Sequence, residues 1–189
     1  LAVAGYLNAF IRNCNTVKIA NIAQLVNVIA PIFTNENGLF LQTIYHPFRL
    51  FSEHTQEIAL DVYVESETYT MPPDDEKSSW PHRVADLGPF KMLDVTVTCD
   101  AAESELAIAV VNRDREQAHA TIIQLTDGVT ITGVAAYEVN GVSPDALNSF
   151  DQPNEVAVRE HRLDLTGQSI QYTFPAHSLT VIRGKISAK

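Results

Sequence analysis

Cysteine is scarce. Cys14 and Cys99 are the only two in 189 residues, so there is neither a disulfide framework nor a CxxC pair for zinc, and two reduced thiols in a core are expected, in a reducing compartment. Basic residues are also few: 13 Lys+Arg stand against 23 Asp+Glu, a net charge of −10. That deficit argues against nucleic acid or an anionic membrane as a partner, because both are bound by neutralising phosphates with Lys and Arg. No apolar run reaches the about 20 residues of a membrane span. The longest, Ile19 to Phe33, is interrupted by Asn21, Gln24, Asn27 and Pro31. No basic segment precedes it, as a signal peptide would require, which sets the expectation of a cytoplasmic address with secretion left open. The six His show no HExxH or HxH spacing, so neither a metal nor another cofactor is expected.

What is present divides the chain at about residue 56. Val3, Tyr6, Leu7, Phe10 and Ile11 recur at helical spacing, the stripe of an amphipathic helix. Asn13-Cys14-Asn15 ends it, and Val17 to Ala23 follows as a short, nearly all-apolar run. A helix followed by such a run is the pattern of a strand covered on both faces in a parallel sheet. A long connection containing Pro31, Asn35, Asn37 and Gly38 leads to a second helix over about Leu41 to His54, where Pro47 implies a kink or a start one turn later. The chain opens at Leu1 inside a helical pattern, and a lone strand with its two helices cannot cover itself. Both features set the expectation of a piece of a larger sheet.

After Thr55 the apolar period changes from 3.6 to 2. Ile58-Leu60-Val62-Val64 and Leu93-Val95-Val97-Cys99 alternate with polar residues, and Leu106-Ile108-Val110 returns after a polar turn, so the last two form a hairpin. Further strands are expected over Ala118–Leu125, Thr130–Val139, Glu155–Val158, Ser169–Phe174 and Leu179–Arg183, with Asp127-Gly128 and Asn140-Gly141 as turn dipeptides. Tyr69 to Pro89, with its prolines and Asp74-Asp75-Glu76, reads as a surface loop. The pattern predicts a mainly β chain with an antiparallel, jelly-roll-like sandwich.

An acidic chain with surface loops invites a search for paired carboxylates. Glu103/Glu105 at a hairpin turn and Asp74/Asp75/Glu76 in the Pro-rich loop read as solvated charge, since nothing adjacent would desolvate them. His54 ends a helix and reads as a dipole partner; His161 reads as exposed and His177 as a strand-edge hydrogen-bonding group. The amides are more informative. Asn21, Gln24 and Asn27 interrupt the apolar run and are expected to bond loop backbone. Gln42, where the long connection meets the second helix, is the candidate for binding a neutral polyhydroxy ligand, because an uncharged amide both donates and accepts.

The stretch Val17-Lys18-Ile19-Ala20-Asn21-Ile22-Ala23-Gln24-Leu25-Val26-Asn27-Val28-Ile29-Ala30-Pro31-Ile32, followed by Leu41-Gln42-Thr43-Ile44-Tyr45-His46-Pro47-Phe48, closely resembles the family 51 glycoside hydrolases, the α-L-arabinofuranosidases. Leu106 to Arg113 and Phe174 to Ile182 look like strands of that family's C-terminal β-sandwich. The resemblance implies that residues 1–56 are the terminal helix–strand–helix of a (β/α)8 catalytic barrel and residues 57–189 the C-terminal sandwich. It implies an exo-enzyme that releases terminal arabinofuranose from arabinan- or arabinoxylan-type saccharides by a retaining two-glutamate mechanism. Neither glutamate has a matching motif here; both would lie upstream, on the rest of the barrel. Of the family's sugar contacts, the Gln before Thr-Ile maps onto Gln42. The implied partners are an arabinose-containing oligosaccharide or polysaccharide, the remaining barrel of the same enzyme, and further copies in a homo-oligomer. The competing reading is a non-catalytic sandwich that binds carbohydrate through Trp80, Tyr63, Tyr69, Tyr137 and Tyr172, or that serves structure and oligomerisation alone.

Overall fold

The strand Glu105–Asn112 has no solvated face. Leu106, Ile108 and Val110 point into one core, Ala107, Ala109 and Val111 to the other side, and all six are buried. A strand covered on both sides needs a layer above and a layer below, and the chain supplies both. The computed structural model describes residues 1–71 and 88–188. In chain order it contains α1 (Ala2–Arg12), the hairpin β1 (Ile32–Asn35) and β2 (Gly38–Leu41), α2 (Tyr45–His54), β3 (Ile58–Leu60), β4 (Thr68–Tyr69), β5 (Phe90–Lys91), β6 (Leu93–Cys99), β7 (Glu105–Asn112), β8 (His119–Gln124), β9 (Thr130–Asn140), β10 (Ala157–Leu163), β11 (Ser169–Phe174) and β12 (Leu179–Ser187).

The central layer is a six-stranded antiparallel sheet in the order β10-β9-β12-β7-β6-β3. The β8–β11 pair lies over one face, and between the two sheets sits a core built from Leu93, Ile108, Ile131, Ile170, Phe174 and Ile182. Helices α1 and α2 cover the opposite face through Ala4, Leu7, Leu50 and Phe51 against Ala109, Val111, Val139 and Val181. The small alanines of β7 let the helices approach closely. Gly184 answers a different close approach, between strands: a Cβ there would lie 2.6 Å from Cγ1 of Ile131 on β9, at the point where the β12–β9 register shifts.

The alternation in β6 is as expected, but its polar face is not solvated. Asp94, Thr96 and Thr98 are buried beneath the helices. Asn8, fully buried on α1, donates to the Asp94 carbonyl at 3.0 Å and accepts from the Thr96 hydroxyl at 2.7 Å. The Asp94 carboxylate is gripped by Arg12 at 2.7 Å and Arg113 at 2.9 Å. Thr98 accepts from the backbone N–H of Gln56 at 2.9 Å, just beyond α2. Buried polar groups are costly unless paired; here Asn8, Arg12 and Gln56 tie the helical layer to β6, and Arg113 adds a pair from the end of β7.

Four expectations need correction. Val17 to Ala23 forms no strand and lies largely exposed: a strand exists only through neighbours that accept its ladder bonds, and none of the described residues offers a sheet edge there. Asn21 and Gln24 are therefore exposed rather than buried, while Asn27 does bond loop backbone, accepting from the N–H of Thr34 at 2.8 Å. Cys14 is exposed where a core thiol was expected; Cys99 is buried. Finally, β10 begins later and runs further than Glu155–Val158, over Ala157–Leu163. The second helix starts one turn after Leu41, with Pro47 inside its first turn, where a missing N–H costs nothing. Most of the Pro-rich loop, including Asp74, Asp75, Glu76 and Trp80, lies outside the described residues.

Candidate functional site

Gln42 sits at the junction between the β1–β2 hairpin and α2, half-buried. Its N–H donates to the Pro31 carbonyl at 2.8 Å, and its carbonyl accepts from the Tyr45 N–H at 2.9 Å. The first bond closes the base of the hairpin and the second turns the chain into α2. The carbonyl of the preceding residue, Leu41, accepts from Nδ2 of Asn148 at 2.8 Å. The peptide group between Leu41 and Gln42 is thus held at its C=O and at its N–H, and the bonds that hold Gln42 run through main-chain atoms.

The loop before the hairpin is bent tightly. Gln24, Asn27 and Val28 adopt φ of 56°, 61° and 61°, a region that a β-branched residue such as Val28 enters only when its surroundings force it. Asn27 supplies part of that force: its N–H bonds the Ile32 carbonyl at 2.8 Å, its carbonyl accepts from Ala30 at 3.0 Å, and its side chain reaches Thr34. Apolar side chains of this stretch face solvent: Ile19 is 77% exposed and Val28 76%. Behind it, Phe40 stacks on Phe33 at 5.2 Å and meets the edge of Phe150 at 4.8 Å.

The carboxylates behave as turn fasteners. Asp100 accepts from the N–H groups of Ser104 and Glu105 and from the Ser104 hydroxyl, each at 2.7 Å. Asp114 accepts from Glu116 and Gln117 at 3.0 Å and faces His119 at 3.2 Å. These bonds hold both groups below the usual Asp value, led by the Ser104 hydroxyl for Asp100 and by the Glu116 N–H for Asp114. A general acid needs the opposite shift. Glu105 pairs with Arg183, and Glu103 is exposed on the hairpin turn. Among the described residues no group of three His, Cys, Asp or Glu side chains is placed to hold a metal, and no helix is long and apolar enough to cross a membrane.

One histidine differs from what its position implied. His54 does not cap α2 toward solvent; it is buried and stacks on Tyr137 at 4.1 Å. His46, on the same helix, is buried too. His161 is exposed, and His177 bonds the carbonyls of Arg115 at 2.9 Å and Gly141 at 3.2 Å through its two ring nitrogens. Among the described residues, two of the tyrosines named for a platform are packed against neighbours. Tyr137 is stacked under His54 and Tyr172 packs on the sandwich core, where burial and then Glu138 push its phenol up to about 12. Tyr63, by contrast, is 86% exposed.

Residues 1–178 match the family model described as the α-L-arabinofuranosidase C-terminal domain. The chain is 35% identical over 185 residues to a probable α-L-arabinofuranosidase C of Aspergillus clavatus, covering 98% of this chain and 34% of that protein. It is 34% identical over 152 residues to an intracellular exo-α-(1→5)-L-arabinofuranosidase of Streptomyces lividans, covering 79% of this chain and 21% of that one. Among solved structures it is similar to an α-L-arabinofuranosidase from Thermotoga maritima in complex with arabinose. That likeness has a TM-score of 0.81 and 28% identity, over 97% of this chain and 37% of the other. The chain spans about a third of the length of the curated relatives it matches.

Proposed function

This chain belongs to the family of α-L-arabinofuranosidase C-terminal domains, and from that premise we propose that it works as the C-terminal portion of an enzyme that removes terminal α-L-arabinofuranosyl residues from arabinan- or arabinoxylan-type saccharides. Residues 1–56 complete a (β/α)8 barrel and residues 57–189 form the sandwich that packs on it. The observation that carries the reading is the segment 17–41: apolar in sequence, bent by three left-handed residues, and exposed along Ile19, Leu25, Val28, Ile29 and Leu39. Apolar surface of this kind marks an interaction face, and the rest of a barrel is the partner whose chemistry suits it.

In this role Gln42 projects from the loop that follows the last barrel strand, on the face where barrel enzymes bind substrate. Its amide orients a sugar hydroxyl without carrying charge. The two glutamates of a retaining mechanism, roughly 5 Å apart, belong to the remainder of the barrel. The downward-shifted Asp100 and Asp114 favour that division, since neither is suited to protonate a leaving group. The working enzyme is proposed as a homo-oligomer in the cytoplasm, a reading supported by the word intracellular in the name of the Streptomyces lividans relative. The test is turnover of an aryl α-L-arabinofuranoside. The purified 189-residue chain is expected to show none, and the longer polypeptide that carries it to be active. Hydrolysis by the chain alone, surviving a contamination control, contradicts the proposal.

A further inference from the structure

The connection between β9 and β10, residues 141–156, is long and irregular, and loops of that length in a tight domain usually serve a purpose beyond joining strands. It is nevertheless well held. Gly141 opens it where a Cβ would lie 2.7 Å from Cβ of Ala146 and 3.0 Å from Cγ2 of Val156, so the loop folds back on its own start. Asn148, only 4% exposed, organises the middle. Its Oδ1 accepts from the Val156 N–H at 2.7 Å, and its Nδ2 donates to the Val156 carbonyl at 2.7 Å. The same Nδ2 donates to the Leu41 carbonyl at 2.8 Å, across 107 residues of sequence. Phe150 of this loop meets Phe40 beside that bond.

Of the three hydrogen bonds on the peptide units around Gln42, two come from its own neighbourhood, Pro31 and Tyr45. The third alone comes from the sandwich. Rotating the peptide unit between Leu41 and Gln42 would swing the Gln42 side chain, and Asn148 resists that rotation from the carbonyl end. We infer that Asn148 is a positioning residue for the sugar contact: the sandwich sets the angle at which Gln42 meets substrate, through one amide that touches no substrate itself. This rests on the reading of Gln42 given above.

The test is a double-mutant cycle in the full-length enzyme, reading kcat/KM on an aryl α-L-arabinofuranoside for Gln42→Ala, Asn148→Ala and the pair. Misplacing a substrate-positioning group costs on the order of 10- to 100-fold. Asn148→Ala is expected to lower kcat/KM about 10-fold, and to add nothing once Gln42 is already Ala, because its effect passes through that side chain. A general loosening of the fold would instead add fully in both backgrounds. Full additivity, or an unchanged Asn148→Ala enzyme beside an impaired Gln42→Ala one, overturns the inference and leaves the sugar contact standing. An unimpaired Gln42→Ala enzyme overturns the sugar contact itself and the inference with it. If Asn148→Ala fails to fold, the cycle is run with Asn148→Ser, which stays uncharged and polar in the loop while removing the Nδ2 donor to the Leu41 and Val156 carbonyls, and the same outcomes decide.

Discussion

The segment 17–41 and the strand β7 are both rich in aliphatic residues, yet their surroundings are opposite. In β7 and its neighbour β12, Val110, Val111 and Ile182 are 2%, 1% and 0% exposed, whereas Ile19, Val28 and Ile29 are 77%, 76% and 68% exposed. Composition is therefore not what separates them. β7 has strands bonded on both sides, a helical layer below and a second sheet above. The earlier segment holds one short hairpin, β1–β2, and among the described residues no further strand pairs with it. The lesson is that an apolar run reports the burial a segment needs, and the chain in hand decides how much of it is supplied.

The largest effect that should separate the two regions is truncation of a core side chain. Ile182→Ala is expected to cost about 2–5 kcal/mol of unfolding free energy, while Ile19→Ser in the same chain should fall within about 0.5 kcal/mol of the starting protein. Urea titration of the two variants measures both. Equal losses would erase the distinction. The boundary itself is sharpened by Asn8, which lies on α1, in the first 56 residues, yet is wired to β6 of the sandwich. Asn8→Ala should cost about 1–3 kcal/mol by stranding the Asp94 carbonyl and the Thr96 hydroxyl. A negligible loss in the same titration would put α1 outside the self-sufficient unit.

The pH dependence of that unit is set by α2. Burial, more than any neighbour, holds His46 and His54 below the usual imidazole value. Arg49 adds to it for His46 and is opposed by the backbone of Val156; Arg183 and Arg49 add to it for His54 and are opposed by Glu53 and Glu160. With both values lowered in the fold, the unfolded chain takes up protons first, near pH 6.5. Stability is therefore whole above about pH 6.5 and falls as the pH drops through it, by at most about 1.4 kcal/mol per unit for each His. Urea midpoints at pH 7.5 and 5.5 read this loss. His54→Phe, which keeps a ring against Tyr137, should remove about half of the dependence; an unchanged dependence would move the proton uptake elsewhere.

Much of the sandwich was legible because a period of 2 and turn dipeptides are local signals. β6, β8, β9 and β11 lie where the alternation places them, within a residue or two. β10 was misplaced because Arg159, Glu160, His161 and Arg162 break the apolar pattern; it is an edge strand paired only with β9, and charge is what protects an edge. The β1–β2 hairpin lies where the sequence reads as a long connection; its turn is Glu36-Asn37, between the paired Asn35 and Gly38, so the Asn37-Gly38 dipeptide does not occupy the two turn positions that would announce it. The polar face of β6 looked like solvent because nothing local announces that α1 lies over it. Gln42 stands out in the sequence by its residue type, its place after a loop and the family resemblance, and its sugar contact is what we propose. The bond from Asn148 to Leu41 has no such signal: an Asn in a polar loop is commonplace, and its partner is 107 residues away.

The proposed function turns on one requirement: Val17 to Ala23 becomes strand only against the rest of a barrel. Amide hydrogen exchange over residues 17–29, measured in the 189-residue chain and in the full-length enzyme proposed above, tests this most directly. Rapid exchange in the short chain and strong protection of Val17 to Ala23 in the long one is the predicted result. Protection in the short chain, or rapid exchange in both, would contradict it.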